Sequence, residues 1–117
     1  MKLIYIAGPY RDSRGEWFVR QNIRNAEKAA EFVWQHGGVA ICPHKNTAGF
    51  GGLPGCPDEI WLEGDLEILR RCDAVWLVEG WQDSTGARNE HEEAARRSIP
   101  CLLTQEMVID YLKAVSS

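Results

Sequence analysis

No run in the chain approaches the ~20 consecutive apolar residues of a membrane-spanning helix. Basic charge is scarce as well: 13 lysines and arginines stand against 17 acids, leaving a net charge of −4. That balance argues against binding nucleic-acid polymers or anionic membranes, which call for a basic surface, although a local phosphate pocket stays open. The four cysteines, Cys42, Cys56, Cys72 and Cys101, contain no CxxC pair. Cys42, His44 and Cys56 gather around one loop, but no second pair of ligands stands at a usual zinc spacing, so no metal is expected. Cys72 and Cys101 fall in apolar stretches, which points to reduced thiols and a cytoplasmic setting. The opening Met1-Lys2-Leu3-Ile4-Tyr5 reads as a strand entering a fold rather than a signal peptide.

Familiar nucleotide and nucleophile signatures are missing too. Gly8-Pro9-Tyr10-Arg11 is not GxGxxG, and neither a GxxxxGKS/T phosphate loop nor a GxSxG elbow occurs. Phosphoryl-receiver domains need acids after the first strand, where this chain has Ala7-Gly8-Pro9. No repeat or low-complexity segment interrupts the sequence. What is present is ordinary for a globular protein: 44% hydrophobic and 26% charged residues. A length of 117 residues fits one domain over 1–117.

Hydrophobic patterning predicts a β-α-β-α-β-α-β-α order. Leu3-Ile4-Tyr5-Ile6-Ala7 is a continuous apolar run, as in a strand covered on both faces. Residues 16–36 read as a helix with Phe18, Ile23, Ala26, Ala29, Ala30, Phe32 and Val33 as its buried stripe, stopped by Gly37-Gly38. Residues 39–42 form a second strand, closed by Pro43. A loop over 43–57, rich in glycine and proline, is long enough to suggest a binding loop or lid. A helix over 58–72, a strand over 74–79, a helix from Ser84 or Thr85 to Arg97, a strand over 100–103 and a helix over 105–115 complete the series. This is the pattern of a doubly wound, Rossmann-like or flavodoxin-like α/β fold with four to five parallel strands. Placing strand 1 between strands 2 and 3 creates a reversal, and ligands bind at the carboxyl ends beside it. Residues 8–14 would then face residues 80–90.

Asp83-Ser84-Thr85-Gly86-Ala87-Arg88-Asn89-Glu90 has the strand–turn–helix character that aims backbone N–H groups at an anion. Ser84 or Thr85 can cap the helix, and Gly86 lets a ligand approach the backbone. Glu90, about one turn inside, is either a solvated helix acid or a nucleophile or base. Asp65 interrupts the stripe Leu62, Leu66, Leu69 and Cys72, so it is either hydrogen-bonded to a neighbouring loop or a carboxyl with a raised pKa. Asp73 suits a turn or cap. Arg11 and Arg14 are candidate anion partners in the first loop, or solvated arginines. Tyr5 can pack its ring mid-strand while its hydroxyl reaches the carboxyl end. Tyr10, Trp17 and Trp81 flank the crevice and are suited to stacking on a base, or to forming hydrophobic lids or subunit contacts. His44 and Lys45 reach toward the site from the long loop, and His91 either orients Glu90 or faces the core.

Three groups of these residues together resemble the nucleoside 2-deoxyribosyltransferase-like superfamily over nearly the whole chain. They are Ile4-Tyr5-Ile6-Ala7-Gly8-Pro9; Gly64-Asp65-Leu66 with Leu69 and Cys72-Asp73-Ala74-Val75; and Ser84, Gly86 and Glu90 ahead of Ala94. Within that superfamily the chain is similar to small bacterial and phage domains and to deoxynucleoside 5′-monophosphate N-glycosidases. The resemblance implies Glu90 as nucleophile, Asp65 as the acid that protonates the departing base, and Tyr5 as a tyrosine beside the nucleophile. Transferases acting on free nucleosides generally carry aspartate six residues before the nucleophile, and the monophosphate enzymes carry serine. Ser84, with Gly8, Gly86 and Arg11, therefore implies a 5′-phosphate, which an aspartate would repel. The resemblance further implies a small-molecule nucleotide or nucleoside as partner, no cofactor, and a homodimer or higher homo-oligomer. Pro9-Tyr10 and the loop over 42–57 depart from the hydrolases. A nucleotide-binding module without turnover and a ribonucleotide phosphoribohydrolase are the alternative readings.

Overall fold

The computed structural model describes residues 1–46, 54–55 and 58–116. The two apolar runs form the middle of its sheet. Leu3–Ala7 is strand β1, Val39–Ile41 is β2 and Ala74–Leu77 is β3. Cys101–Leu102 is the short β4. β1 lies parallel to β3, with Ile4 opposite Ala74 and Ala7 opposite Leu77, and parallel to β2 on its other side. β4 extends the sheet beyond β3, giving the order β2-β1-β3-β4 with strand 1 between strands 2 and 3. Ile4 to Ala7 and Ala74 to Leu77 are all buried, which accounts for their lack of polar alternation.

Among the described residues, helices α1 (Glu16–Gln35), α2 (Pro43–Asn46), α3 (Asp58–Arg70), α4 (Thr85–Arg96) and α5 (Gln105–Ser116) complete the α/β architecture. Because side chains alternate along a strand, each sheet face builds its own core. Ile4, Ile6, Ala74, Trp76 and Leu102 pack with Ala26, Ala29 and Val33 of α1 and with Val108 and Leu112 of α5. Tyr5, Ala7, Val75 and Leu77 pack on the opposite face with Leu69 of α3, Cys72 and Ala94 of α4. Tyr5 therefore points toward the layer formed by α3 and α4.

Local chemistry sets the boundaries. α1 closes as a Schellman motif: Gly37 takes φ 89°, and Gly38 N–H donates to Val33 O at 3.0 Å. Ser84 caps α4, its Oγ accepting from Ala87 N–H at 3.2 Å, and Thr104 Oγ1 caps α5 by accepting from Met107 N–H at 3.1 Å. Asp73 Oδ2 accepts from Leu3 N–H at 2.7 Å, tying the start of β1 to the α3–β3 junction.

Several expectations need correction. Pro43 opens the single turn α2 instead of a loop, because proline suits the first helical position. The third strand stops at Leu77 rather than residue 79: after Val78 N–H bonds Ala7 O at 2.8 Å, the chain turns through Gly80 at φ 91° into a 3-10 turn over Trp81–Asp83. α3 stops at Arg70, and Leu62 is 57% exposed, so the apolar stripe expected there does not reach the first half of the helix. Residues 47–53 and 56–57, including Cys56 and much of the expected long loop, lie outside the described residues.

Candidate functional site

The topology carries the ends of β1 and β3 to one place. Gly8 follows β1 so closely packed on the next segment that a Cβ there would stand 3.1 Å from Val78 Cβ. Gly80 lies against Pro9, where an added Cβ would meet Pro9 Cγ at 3.3 Å. The first loop and the turn leading into α4 thus abut, as the expected strand order requires.

Beside this junction, Tyr5 from β1 donates its hydroxyl proton to Glu90 Oε2 from α4. The Tyr5 side chain is fully buried and Glu90 is partly buried. Burial pushes the Glu90 carboxyl up to about 8, with a further upward push from the Asp65 charge, while the Tyr5 hydrogen bond acts in the opposite direction. Burial also raises Asp65 of α3 to about 6. Tyr5 itself is driven strongly upward by burial and then by the Glu90 charge, so its phenol stays protonated and serves as a donor. Asp65 is close enough for its charge to act on both Glu90 and Tyr5. Among the described residues, no hydrogen bond or ion pair reaches the Asp65 carboxyl. The neighbouring-loop partner considered for it is therefore not among them, and the carboxyl is left available to an incoming group.

The start of α4 supplies the second part. Ser84 Oγ accepts the capping bond, so its hydroxyl proton is still available to donate. At Gly86, an added Cβ would meet nothing nearer than Ser84 Oγ at 3.9 Å. Protein packing therefore does not require glycine here, although glycine is a poor helix former. Arg88, overlooked in the sequence, is exposed one turn further on, its Nη2 3.4 Å from Thr85 Oγ1.

The first loop is held by residues of other elements. Asn22 Nδ2 donates to Tyr10 O at 3.2 Å, His44 Nε2 lies 2.8 Å from Pro9 O, and the Tyr10 and His44 rings meet edge-on at 5.2 Å. Burial pushes the His44 imidazole pKa down, so the neutral ring serves as a donor to that carbonyl. Asn22 was not singled out in the sequence; an asparagine inside a helix, where it is unfavourable, is the signal that could have found it. Arg11 is exposed in this loop. Arg14 is already engaged: Nε and Nη2 grip Asp12 at 2.9 and 2.6 Å, and its guanidinium lies 3.8 Å above the Phe18 ring. Trp81 is partly buried against the Tyr5 layer, with its ring 4.8 Å from that of His91. His91 thus meets Trp81 rather than Glu90. Trp17 is 62% exposed on α1 and packs edge-on against Phe18.

Among the described residues no group of three His, Cys, Asp or Glu side chains could hold a metal ion, and no helix is long and apolar enough to cross a membrane.

The arrangement belongs to a known architectural class. A 2-deoxyribosyltransferase from the psychrotolerant bacterium Bacillus psychrosaccharolyticus matches with a TM-score of 0.65 at 19% identity, over 86% of this chain and 70% of that one. The chain has the Rossmann-like α/β fold of that protein. By sequence it belongs to the family described as a domain of unknown function, DUF7768, whose model matches residues 2–104. No curated protein sequence matches it.

Proposed function

We propose that the chain is a retaining N-glycosidase-type enzyme that cleaves, or transfers, the base of 2′-deoxynucleoside 5′-monophosphates. The observation that carries this reading is the convergence on one sheet face of Glu90, held by Tyr5, with Asp65, whose carboxyl has no partner among the described residues. A Glu90 oxygen attacks C1′ as the bond to the base nitrogen breaks, through an oxocarbenium-like transition state. Asp65 gives its proton to the departing base. A glycosyl ester on Glu90 remains. Water, losing a proton to Asp65, then attacks C1′ and frees Glu90; a second base in place of water completes a transfer.

Near neutral pH, values of about 8 and about 6 leave roughly one proton shared by the two carboxyls. Chemistry needs that proton on Asp65 and the charge on Glu90. The Tyr5 hydrogen bond favours charged Glu90, and a base bound at Asp65 draws the proton there. The 5′-phosphate is assigned to the first turn of α4, where Ser84, the open face of Gly86 and the amides of the helix start form the cradle. Arg11 and Arg88 supply positive charge, while the glycine at position 8 is accounted for by its packing on Val78. Tyr10 and Trp81 are assigned to the base.

One observation favours a second reading, a nucleotide-binding module without turnover: burial leaves Glu90 mainly protonated at pH 7. Incubating purified protein with deoxyribo- and ribonucleoside monophosphates and with free nucleosides, followed by chromatography for released base, separates the readings. Base release from deoxynucleoside monophosphates supports the proposal. Nucleotide-dependent stabilisation against heat with no base released selects the binding module, and preference for ribonucleotides selects a phosphoribohydrolase.

A further inference from the structure

One turn below Glu90 on α4 lies Glu93, whose side chain is only 5% exposed. It is not solvated but gripped. Arg70, at the end of α3, donates from Nε to Glu93 Oε1 at 3.0 Å, and Arg97 Nε reaches the same oxygen at 3.2 Å. Arg96 Nη2 stands 3.7 Å from Glu93 Oε2. The other arm of Arg70 turns back along its own helix: Nη1 contacts Glu67 Oε2 at 3.1 Å and Glu63 Oε1 at 3.3 Å. Arg70 is therefore a cross-brace, anchored on α3 through Glu63 and Glu67 and on α4 through Glu93. Arg71, just past the end of α3, turns its guanidinium back onto Glu67 of that helix, and among the described residues it makes no bond to α4.

α3 and α4 each precede or follow β3 and run against the strands, so moving down either helix leads away from the carboxyl edge. Asp65 and Glu90 sit at the upper level of the α3–α4 groove; Arg70 and Glu93 sit below them, roughly 7.5 and 4.5 Å further along their helices at 1.5 Å per residue. Two carboxyls at the upper level repel when both are charged and push the helices apart. The opposite charges below pull them together, and the buried end of that pair strengthens the attraction relative to a surface bridge.

We infer that Arg70 and Glu93 are positioning residues: their bridge sets the separation of the helices that present Asp65 and Glu90, and so holds the two acids within working distance. This rests on the glycosidase reading for its kinetic consequence, but the geometric part stands independently. Faced by Tyr5 from β1 and Asp65 from α3, Glu90 reports that separation through its own titration.

The test is a ¹³C-carboxyl NMR titration of Glu90 in the full chain, comparing wild type with Arg70→Met, Arg70→Lys and Arg71→Met. Arg71→Met removes the same charge from the adjacent residue, just past the end of α3, without touching α4. Simple loss of a cation raises a carboxyl pKa, whereas parting the helices admits water and withdraws Asp65, which lowers it. The expected result is a fall of at least about half a unit in Arg70→Met, a smaller fall in Arg70→Lys, and a null or upward change in Arg71→Met. Arg97 and Arg96 remain beside Glu93 in every variant, and Arg70→Lys keeps the charge should Arg70→Met not fold. In turnover, Arg70→Met is expected to lower kcat about tenfold with little change in KM, as misplacement of reacting groups does. A Glu90 titration unmoved or raised in both Arg70 variants overturns the inference whatever the activity. A titration that falls in a protein releasing no base keeps the brace and rejects the glycosidase reading.

Discussion

The Tyr5 hydroxyl donates to Glu90 Oε2 across 85 residues of sequence, joining the first strand of the sheet to the helix after the third. Because the Tyr5 ring is fully buried, that donor cannot swing away to water, and Glu90 is fixed where β1 and β3 end. The chemistry proposed for the site follows from how this bond, burial and Asp65 divide one proton.

That division predicts a bell-shaped pH dependence of kcat/KM with limbs near 6 and 8, the values burial gives Asp65 and Glu90. The limbs belong to the pair rather than to either residue alone. Tyr5→Phe removes the hydrogen bond that favours charged Glu90, so the upper limb should move to higher pH and kcat/KM should fall at least about tenfold. Steady-state rates across pH 5–10 check both; an upper limb that stays in place in Tyr5→Phe contradicts the assignment.

Glu90 should also make the folded protein less stable at alkaline pH. Its folded value of about 8 lies above the ordinary 4.5, so between those limits the native state holds a proton that the unfolded chain has lost. Stability then declines as pH rises from 4.5 through 8. Glu90→Gln keeps the shape without the titration, and its melting temperature should exceed that of wild type progressively across this window. The gain at pH 9 should be about 1–3 kcal/mol, below what the full shift implies because the carboxyl retains some solvent contact. Calorimetric scans of both proteins at pH 5 and pH 9 read the difference directly; a constant difference refutes it.

Ser84→Asp tests the phosphate assignment without removing the cap. Aspartate accepts a first-turn amide as well as serine does, so stability should change by no more than about 0.5 kcal/mol. A carboxylate facing a phosphate dianion should cost at least about tenfold in kcat/KM for monophosphates, while free nucleosides are spared or improved. Competition between a deoxynucleoside and its monophosphate measures the ratio.

Gly86→Ala should separate stability from binding. The position has room for a methyl group, and alanine in a helix is favoured over glycine by up to about 1 kcal/mol. The variant should melt no lower than wild type and yet bind deoxynucleoside monophosphate several-fold more weakly, because the methyl group intrudes on the phosphate side. Unchanged affinity by calorimetry places the phosphate elsewhere.

Much of this arrangement was legible in the sequence. The unbroken apolar runs at Ile4 to Ala7 and Ala74 to Leu77 announce strands covered on both sides, and their parallel order follows from the helices between them. Ser84, Gly86 and Glu90 stood out because a capping residue, a glycine and an acid open an otherwise regular helix. What stayed hidden depends on tertiary approach. Leu62 continues an apolar stripe on paper but lies past the part of α3 that the sheet covers. His44 was expected to reach the site, and a mid-helix asparagine marks Asn22, but which carbonyls of the first loop they hold, 35 and 12 residues away, is set only by the fold. Glu93 reads as one of three acids in Glu90-His91-Glu92-Glu93, and only the arrival of Arg70 from α3 distinguishes it.

The most direct trial of the central claim is to look for the bond itself. Wild type and Glu90→Gln are mixed with a deoxynucleoside 5′-monophosphate, quenched rapidly in acid, digested and analysed by peptide mass spectrometry. A deoxyribose-phosphate adduct on the Glu90 side chain, absent from the variant, is the predicted result. Base release with the adduct on another residue, or release that continues undiminished in Glu90→Gln, would contradict it.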